Sequence, residues 1–269
     1  MVQQSMEKKA QIVYLSHGGG PLPILGDAGH AAMVRFMRDL PRQLTIPQAV
    51  LVISAHWEEA QPTLFSTAHV PLFYDYYGFP AEAYHITYPA PGSGKLVEQI
   101  SAHLSTAGLS PSVNAHRGVD HGVFIPLKLI YPEADIPVVQ LSLLAGLDPV
   151  AHLALGHALQ PLLDQNLLVI GSGFSFHNLN AFFAPDAGER DPTNDAFQDW
   201  LVETITSGMP AQEREQRLMD WESAPSARYC HPREEHLLPL HVCASLAGTP
   251  GEKIFDEAIM GKRGVAFRW

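Results

Sequence analysis

Gln11-Ile12-Val13-Tyr14-Leu15-Ser16-His17-Gly18-Gly19-Gly20 decides the fold. Ile12 to Leu15 form an apolar run without polar alternation, and the run breaks off at a histidine followed by three glycines. A strand with one wet face would alternate. A run that does not alternate fits a strand buried on both sides, as in a mainly parallel sheet covered by helices. Three more runs of this kind follow, at Ala49–Ile53, Ile136–Leu144 and Leu167–Ile170. Helical patterns separate them. Met33, Phe36, Met37 and Leu40 recur at i, i+3, i+4 and i+7, with Pro41 as a stop. Leu96, Ile100 and Leu104 share a face behind Ser93, a natural N-cap. Further helices are predicted near 148–164, 193–206, 211–221 and 236–246. The tail reads as a hairpin of Lys253–Ile259 and Val265–Trp269, turning through residues 261–264. Residues 1–269 therefore read as a single α/β domain: a mainly parallel central sheet flanked by helices, with the active site at the carboxyl ends of the strands.

Composition narrows the function classes. The 269 residues are 46% hydrophobic and only 17% charged, which suits a chain with a sizeable core and excludes a disordered one. A formal charge of −11 disfavours nucleic acid and anionic membrane surfaces as partners. No apolar run approaches the roughly 20 residues of a membrane-spanning helix, and the run after Lys8 and Lys9 is too short for a secretory signal. Two cysteines, Cys230 and Cys243, make no disulfide framework. A cytoplasmic location is the expectation.

Fourteen histidines stand against so few charged residues. His17 follows the first strand, His56 the second, and His177 comes shortly after the run at 167–170. In an open α/β sheet, parallel strands present their carboxyl ends on one rim, so these three can converge. His236 lies at the predicted start of the last helix, and His121 sits between Asp120 and Gly122 ahead of another helical run. A divalent transition metal with open positions needs about three neutral nitrogen or carboxylate ligands, and an acid/base cluster uses the same residue types. The other nine histidines read as core or surface residues, with His231 as a weak alternative ligand. Gly18-Gly19-Gly20 fits neither a dinucleotide fingerprint nor a P-loop, and Gly171-Ser172-Gly173 is not a nucleophile elbow.

Two connections are long. Trp57–Gly92 holds nine of the 24 aromatic residues; such a segment either walls a flat apolar ligand or pins itself down with its own side chains. Asn178–Pro192 reads as a lid or an ordinary surface loop.

An ordered set of short motifs runs through the chain: Ser16-His17-Gly18, Ser54-Ala55-His56-Trp57, Gly78-Phe79-Pro80, Tyr88-Pro89-Ala90-Pro91-Gly92-Ser93, Asp120-His121-Gly122, Ile125-Pro126-Leu127, Tyr131-Pro132, Ala134 to Ser142, Gly171-Ser172-Gly173, His177-Asn178-Leu179 and Glu235-His236. In this order they resemble the class III extradiol ring-opening dioxygenases of the DOPA-dioxygenase type. That resemblance implies His17, His56 and His236 as metal ligands and His177 as the acid/base group. It also implies that His177 can close the shell as a fourth ligand in a substrate-free zinc form, and that His121 lies near the substrate and oxygen side. Better-studied relatives use a carboxylate as third ligand, which makes the adjacent Glu235 the alternative to His236; a segment already helical there could not aim both at one metal. The implied cofactor is Fe2+, with Zn2+ as a substitute in isolated protein, and the implied partners are a small aromatic diol and O2. A zinc-dependent hydrolase and a non-enzymatic binding protein on the same fold are the competing readings. The order of motifs does not fix the substrate, the ring bond cleaved or whether the chain forms a homo-oligomer.

Overall fold

In the computed structural model, which describes residues 9–184, 188 and 190–269, eight strands form one sheet in the order β4-β3-β5-β2-β6-β1-β8-β7. They are β1 (Gln11–Ser16), β2 (Ala49–Glu59), β3 (Thr63–Phe65), β4 (Ser112–Asn114), β5 (Val138–Leu144), β6 (Leu167–Gly173), β7 (Glu252–Ile259) and β8 (Lys262–Arg268). The central four, β5-β2-β6-β1, are parallel throughout. Antiparallel pairing is confined to the flanks, at β1–β8, β7–β8 and β3–β5.

The lack of alternation in the strands has a direct cause. Consecutive residues enter opposite cores: Val13, Val50, Val52, Leu168 and Ile170 join one apolar cluster, while Ile12, Leu51, Ile53, Leu167 and Val169 join the other. Helix Gly94–Thr106 covers the second face with Leu96, Val97, Ile100 and Leu104, and the Ser93 hydroxyl accepts a hydrogen bond from Leu96 N at 3.2 Å. On the first face lie helix Ala31–Asp39, through Met33 and Met37, and helix His121–Ile130.

Several predicted boundaries move, each for a physical reason. The expected 148–164 helix ends at Ala158 and passes into a short tight turn at Gln160–Leu162, where Pro161 has no N–H to donate. The last helix runs from Leu238 to Ala247 rather than from 236. Pro239 sits in its first turn and cannot donate to the carbonyl of Glu235, so Glu235 and His236 lie in a turn ahead of the helix, closed by Leu237 N and Leu238 N on the Glu234 carbonyl. β2 continues past Ile53 to Glu59 through a shift of register against β5, and His56 lies inside that irregular stretch rather than after the strand. The hairpin turns on Met260 and Gly261, both with left-handed backbone, so β8 begins earlier than predicted. β3 and β4 were not anticipated, because three residues are too few for any period to show.

The aromatic segment pins itself: the hydroxyls of Tyr74 and Tyr76 donate to the carbonyls of Ile86 and Ala83, and that of Tyr88 to Tyr131. Of the Asn178–Pro192 connection, read as a lid or an ordinary surface loop, residues 185–187 and 189 lie outside the described residues. Among the described residues no helix is long and apolar enough to cross a membrane.

Of the nine histidines read as core or surface residues, four are fully buried: His30, His152, His231 and His241. His231 Nε2 donates to the Ser175 carbonyl at 2.9 Å and His241 Nε2 to that of Leu218 at 2.8 Å. Burial holds them neutral, with pKa values lowered to about 3 and about 4. In the unfolded chain a histidine titrates near roughly 6.5. Below that pH the unfolded state takes up protons that the folded state refuses, so stability falls with acidification by up to about 1.4 kcal/mol per pH unit for each residue. Urea denaturation of the metal-free protein at roughly pH 7.5 and pH 5.5 checks this: a lower midpoint at the acid pH is expected, and an unchanged one would contradict it.

Candidate metal centre

Because β6 lies between β1 and β2, the ends of those strands flank it. Ser172 of β6 pairs with Leu15 on one side and Ser54 on the other, and His17 and His56 stand just beyond. Their Nε2 atoms are 2.9 Å apart. The Ser172 hydroxyl donates to the Gly122 carbonyl and lies 3.0 Å from His17 Nδ1. Its only proton is thus committed, so it accepts from His17 Nδ1–H and leaves His17 Nε2 as a bare lone pair. Two ring nitrogens that face each other with one bare lone pair already assigned are arranged for a cation between them.

His236 comes from the turn before the last helix. Three groups seat its carbonyl: the Tyr14 hydroxyl and Phe174 N each donate to it at 3.0 Å, and a Cβ on Gly173 would overlap it. His236 Nδ1 is 2.8 Å from Glu235 Oε1, so Nε2 is again the nitrogen left free. Nitrogen atoms of His17, His56 and His236 all lie within 4.8 Å of one another. These three could hold a metal.

The backbone of His56 is gripped at both ends. Its N–H donates to the Ser54 hydroxyl at 3.2 Å, and Arg117 Nη2 donates to its carbonyl at 3.0 Å. Ser54 in turn donates to Asp120 Oδ1 at 2.6 Å, while Gln140 and Arg117 reach Asp120 Oδ2. A fully buried carboxylate with this many donors is a fastening point.

Two further carboxylates hold the remaining histidines. Glu235 Oε1, already bonded to His236, also takes His177 Nδ1 at 3.1 Å, and the His177 and His236 rings stack at 3.4 Å between centroids. His177 does not share the 4.8 Å group with His17 and His56. Glu235 and His236 lie in a turn rather than a helix, and Oε1 of Glu235 is occupied by two imidazoles while Oε2 accepts no hydrogen bond among the described residues. Asp75 lies against His121, whose ring centroid is 4.0 Å from that of His56.

Electrostatics favour neutral imidazoles. Burial, reinforced by the surrounding histidines, pushes His17 and His236 well below the ordinary histidine pKa; burial does the same to His56 against the opposing pull of Asp75. Burial alone would raise the carboxyls of Asp75 and Glu235, yet hydrogen bonds from His121 and His177 hold them below the usual range. Charged carboxylates close to the neutral rings of His17, His56 and His236 suit a cation.

Residues 24–267 match the family described as the catalytic LigB subunit of aromatic ring-opening dioxygenase. The chain belongs to this family. Among its relatives, the dioxygenase tasH of Hapsidospora irregularis is 42% identical over 253 residues, covering 88% of this chain and 78% of that protein. The 4,5-DOPA dioxygenase extradiol of Beta vulgaris is 42% identical over 203 residues, covering 75% and 74%. A crystal structure of an uncharacterized protein from Escherichia coli K12 superposes with a TM-score of 0.78 at 25% identity, covering 96% of this chain and 98% of that one. The chain is thus an extradiol ring-opening dioxygenase, and the histidine cluster at its strand ends is its candidate metal centre.

Sequence reasoning named all five histidines of this centre but passed over Asp75, Ser172, Arg117 and the bridging role of Glu235. Asp75 was hidden in an aromatic-rich segment read for its rings. Its signal was a lone carboxylate in the middle of Tyr74-Asp75-Tyr76-Tyr77.

In this dioxygenase, Gly173→Ala should force the His236 turn off β6. The expected cost is about 1–3 kcal/mol in urea denaturation together with loss of stoichiometric metal; wild-type stability and metal content would show that the turn is not seated there.

Proposed function

We propose that this dioxygenase opens the ring of a catechol-type substrate with O2, holding an Fe(II) ion on His17, His56 and His236 and using His177 as its acid/base group. Glu235 carries the reading. One carboxylate oxygen binds Nδ1 of both His236 and His177, at 2.8 Å and 3.1 Å, and so couples a ligand nitrogen to a proton-handling ring. The donor set fits the ion, since three neutral imidazoles suit a divalent first-row metal and leave positions open. Bound there, ferrous iron would supply the electron-transfer chemistry that lets a catechol and O2 react.

The rest belongs to the chain. With Nδ1–H committed to Glu235, His177 takes a phenolic proton at Nε2, and the carboxylate stabilises the imidazolium that forms. The same nitrogen returns the proton as the ring opens. Tyr76, whose ring lies 5.8 Å from that of His121, helps to wall the site and exclude water. Zn(II) suits the same nitrogens and outranks Fe(II) in the general affinity order, so isolated protein is expected to carry zinc and to need reloading. The relatives named for 4,5-DOPA make DOPA the first catechol to try.

The test is O2 uptake with a panel of catechols on protein stripped of metal and reloaded anaerobically with Fe(II) or Zn(II). Iron-dependent uptake with a new yellow product is expected; activity with zinc and no O2 would point to a hydrolase instead. His177→Ala should keep metal but lose about 10²–10⁴-fold in turnover. His17→Ala and His56→Ala should each lose stoichiometric metal, and retention in both would overturn the ligand assignment.

A further inference from the structure

Beside the three proposed metal ligands the centre contains a second carboxylate–histidine pair, Asp75 with His121, whose ligating atoms lie within 4.8 Å of one of His56. Asp75 lies in the aromatic segment, and both of its carboxylate oxygens are 2.9 Å from His121 Nδ1. Oδ1 also accepts from the backbone N–H of His121 at 2.9 Å. That N–H belongs to the first residue of helix His121–Ile130, where backbone donors have no partner inside the helix and an anion is favoured. One side chain therefore grips His121 by its ring and by its main chain. Both oxygens are acceptors, so His121 Nδ1 carries the proton and Nε2 is the free nitrogen. Tyr76 packs edge-on against the ring, which also meets His17 edge-on at 5.1 Å between centroids.

The loop that carries Asp75 is itself sewn to the chain just ahead of His121. Phe73 N donates to the Val119 carbonyl at 2.8 Å, and Val119 N to that of Pro71 at 2.9 Å. A Cβ on Gly118 would stand only 3.1 Å from the Pro71 carbonyl oxygen, so a glycine lets the two segments meet. Asp75 is thus delivered to one spot, and the aromatic segment enters the site through this carboxylate rather than through its rings alone.

We propose that Asp75 is a positioning residue, which locks His121 in the Nδ1–H form so that Nε2 faces the bound substrate as the second proton-handling atom of the site. This rests on the ring-opening reading above for its effect on turnover, but not for its effect on the imidazole. Asp75→Asn retains the shape and offers an NH2 that can donate to Nδ1, which reverses the tautomer and places the proton on Nε2.

Two measurements test it. The first is histidine ¹⁵N NMR of the zinc-loaded protein, with His121→Gln used to assign the signal. Wild type should show the proton on Nδ1 and Asp75→Asn on Nε2; a wild-type proton on Nε2, or no change in the variant, overturns the proposal. The second is steady-state kinetics of the iron-loaded enzyme with catechol. Asp75→Asn should lower kcat by about 10²-fold while KM moves less than about threefold and metal content stays stoichiometric. On a His121→Gln background the same substitution should cost nothing further, because its effect passes through the ring. A full second loss there would mean that Asp75 serves the loop and not His121. If wild type takes up no O2 with any catechol, the ring-opening reading fails while the NMR result still decides the role of Asp75.

Discussion

A buried imidazole must place its one N–H on a partner inside the protein, and the whole centre is organised by where those protons go. His17 gives its Nδ1–H to Ser172, His236 and His177 share Glu235, and His121 is held by Asp75. Each partner settles the tautomer, and each tautomer leaves an Nε2 lone pair free. Burial does the complementary work at His17 and His236, whose rings it keeps neutral. An unpartnered donor in this interior would cost on the order of 1–3 kcal/mol, so the hydrogen bonds that orient the rings are also those that make their burial tolerable.

The same economy explains the buried carboxylates. Asp120 and Glu235 are buried and Asp75 is largely so, and an unpaired charge there would be expensive. Asp120 collects Ser54, Gln140 and Arg117, and two of those three hold the peptide of His56. The irregular stretch of β2, which departs from its register with β5 to present His56, is thereby held by side chains. Arg117 in turn lies over Trp57, with its guanidinium 4.8 Å from the ring centroid. A strand that leaves its ladder gives up backbone hydrogen bonds, and here side chains replace them.

Legibility in the sequence divides along the range of the forces involved. The four parallel strands were readable because both faces of the sheet are covered, so a continuous apolar run is the local imprint of a two-sided core. The histidines were readable for a related reason: parallel strands end on one side, and a histidine at a strand end declares its rim. β3 and β4 were not readable, since three residues carry no period. The start of the last helix was misplaced because apolar residues continue back to Leu237, and the missing donor of Pro239 outweighs that pattern. The resemblance to extradiol dioxygenases added the role expected of each histidine, and the family match supports the reaction class independently.

By itself the sequence determined a covered parallel sheet, its helices and a set of histidines placed at strand ends. These follow from hydrophobic periodicity and from the chemistry of single residues, which act over a few positions of chain. Only the tertiary structure decided which nitrogen of His17, His236, His177 and His121 is free, that one oxygen of Glu235 binds two histidines, and that Asp75 reaches His121 from 46 residues away. Those outcomes depend on hydrogen-bond geometry between segments distant in sequence. A bond of about 2.9 Å is made or lost within a fraction of an ångström, and no local pattern of residues encodes that distance.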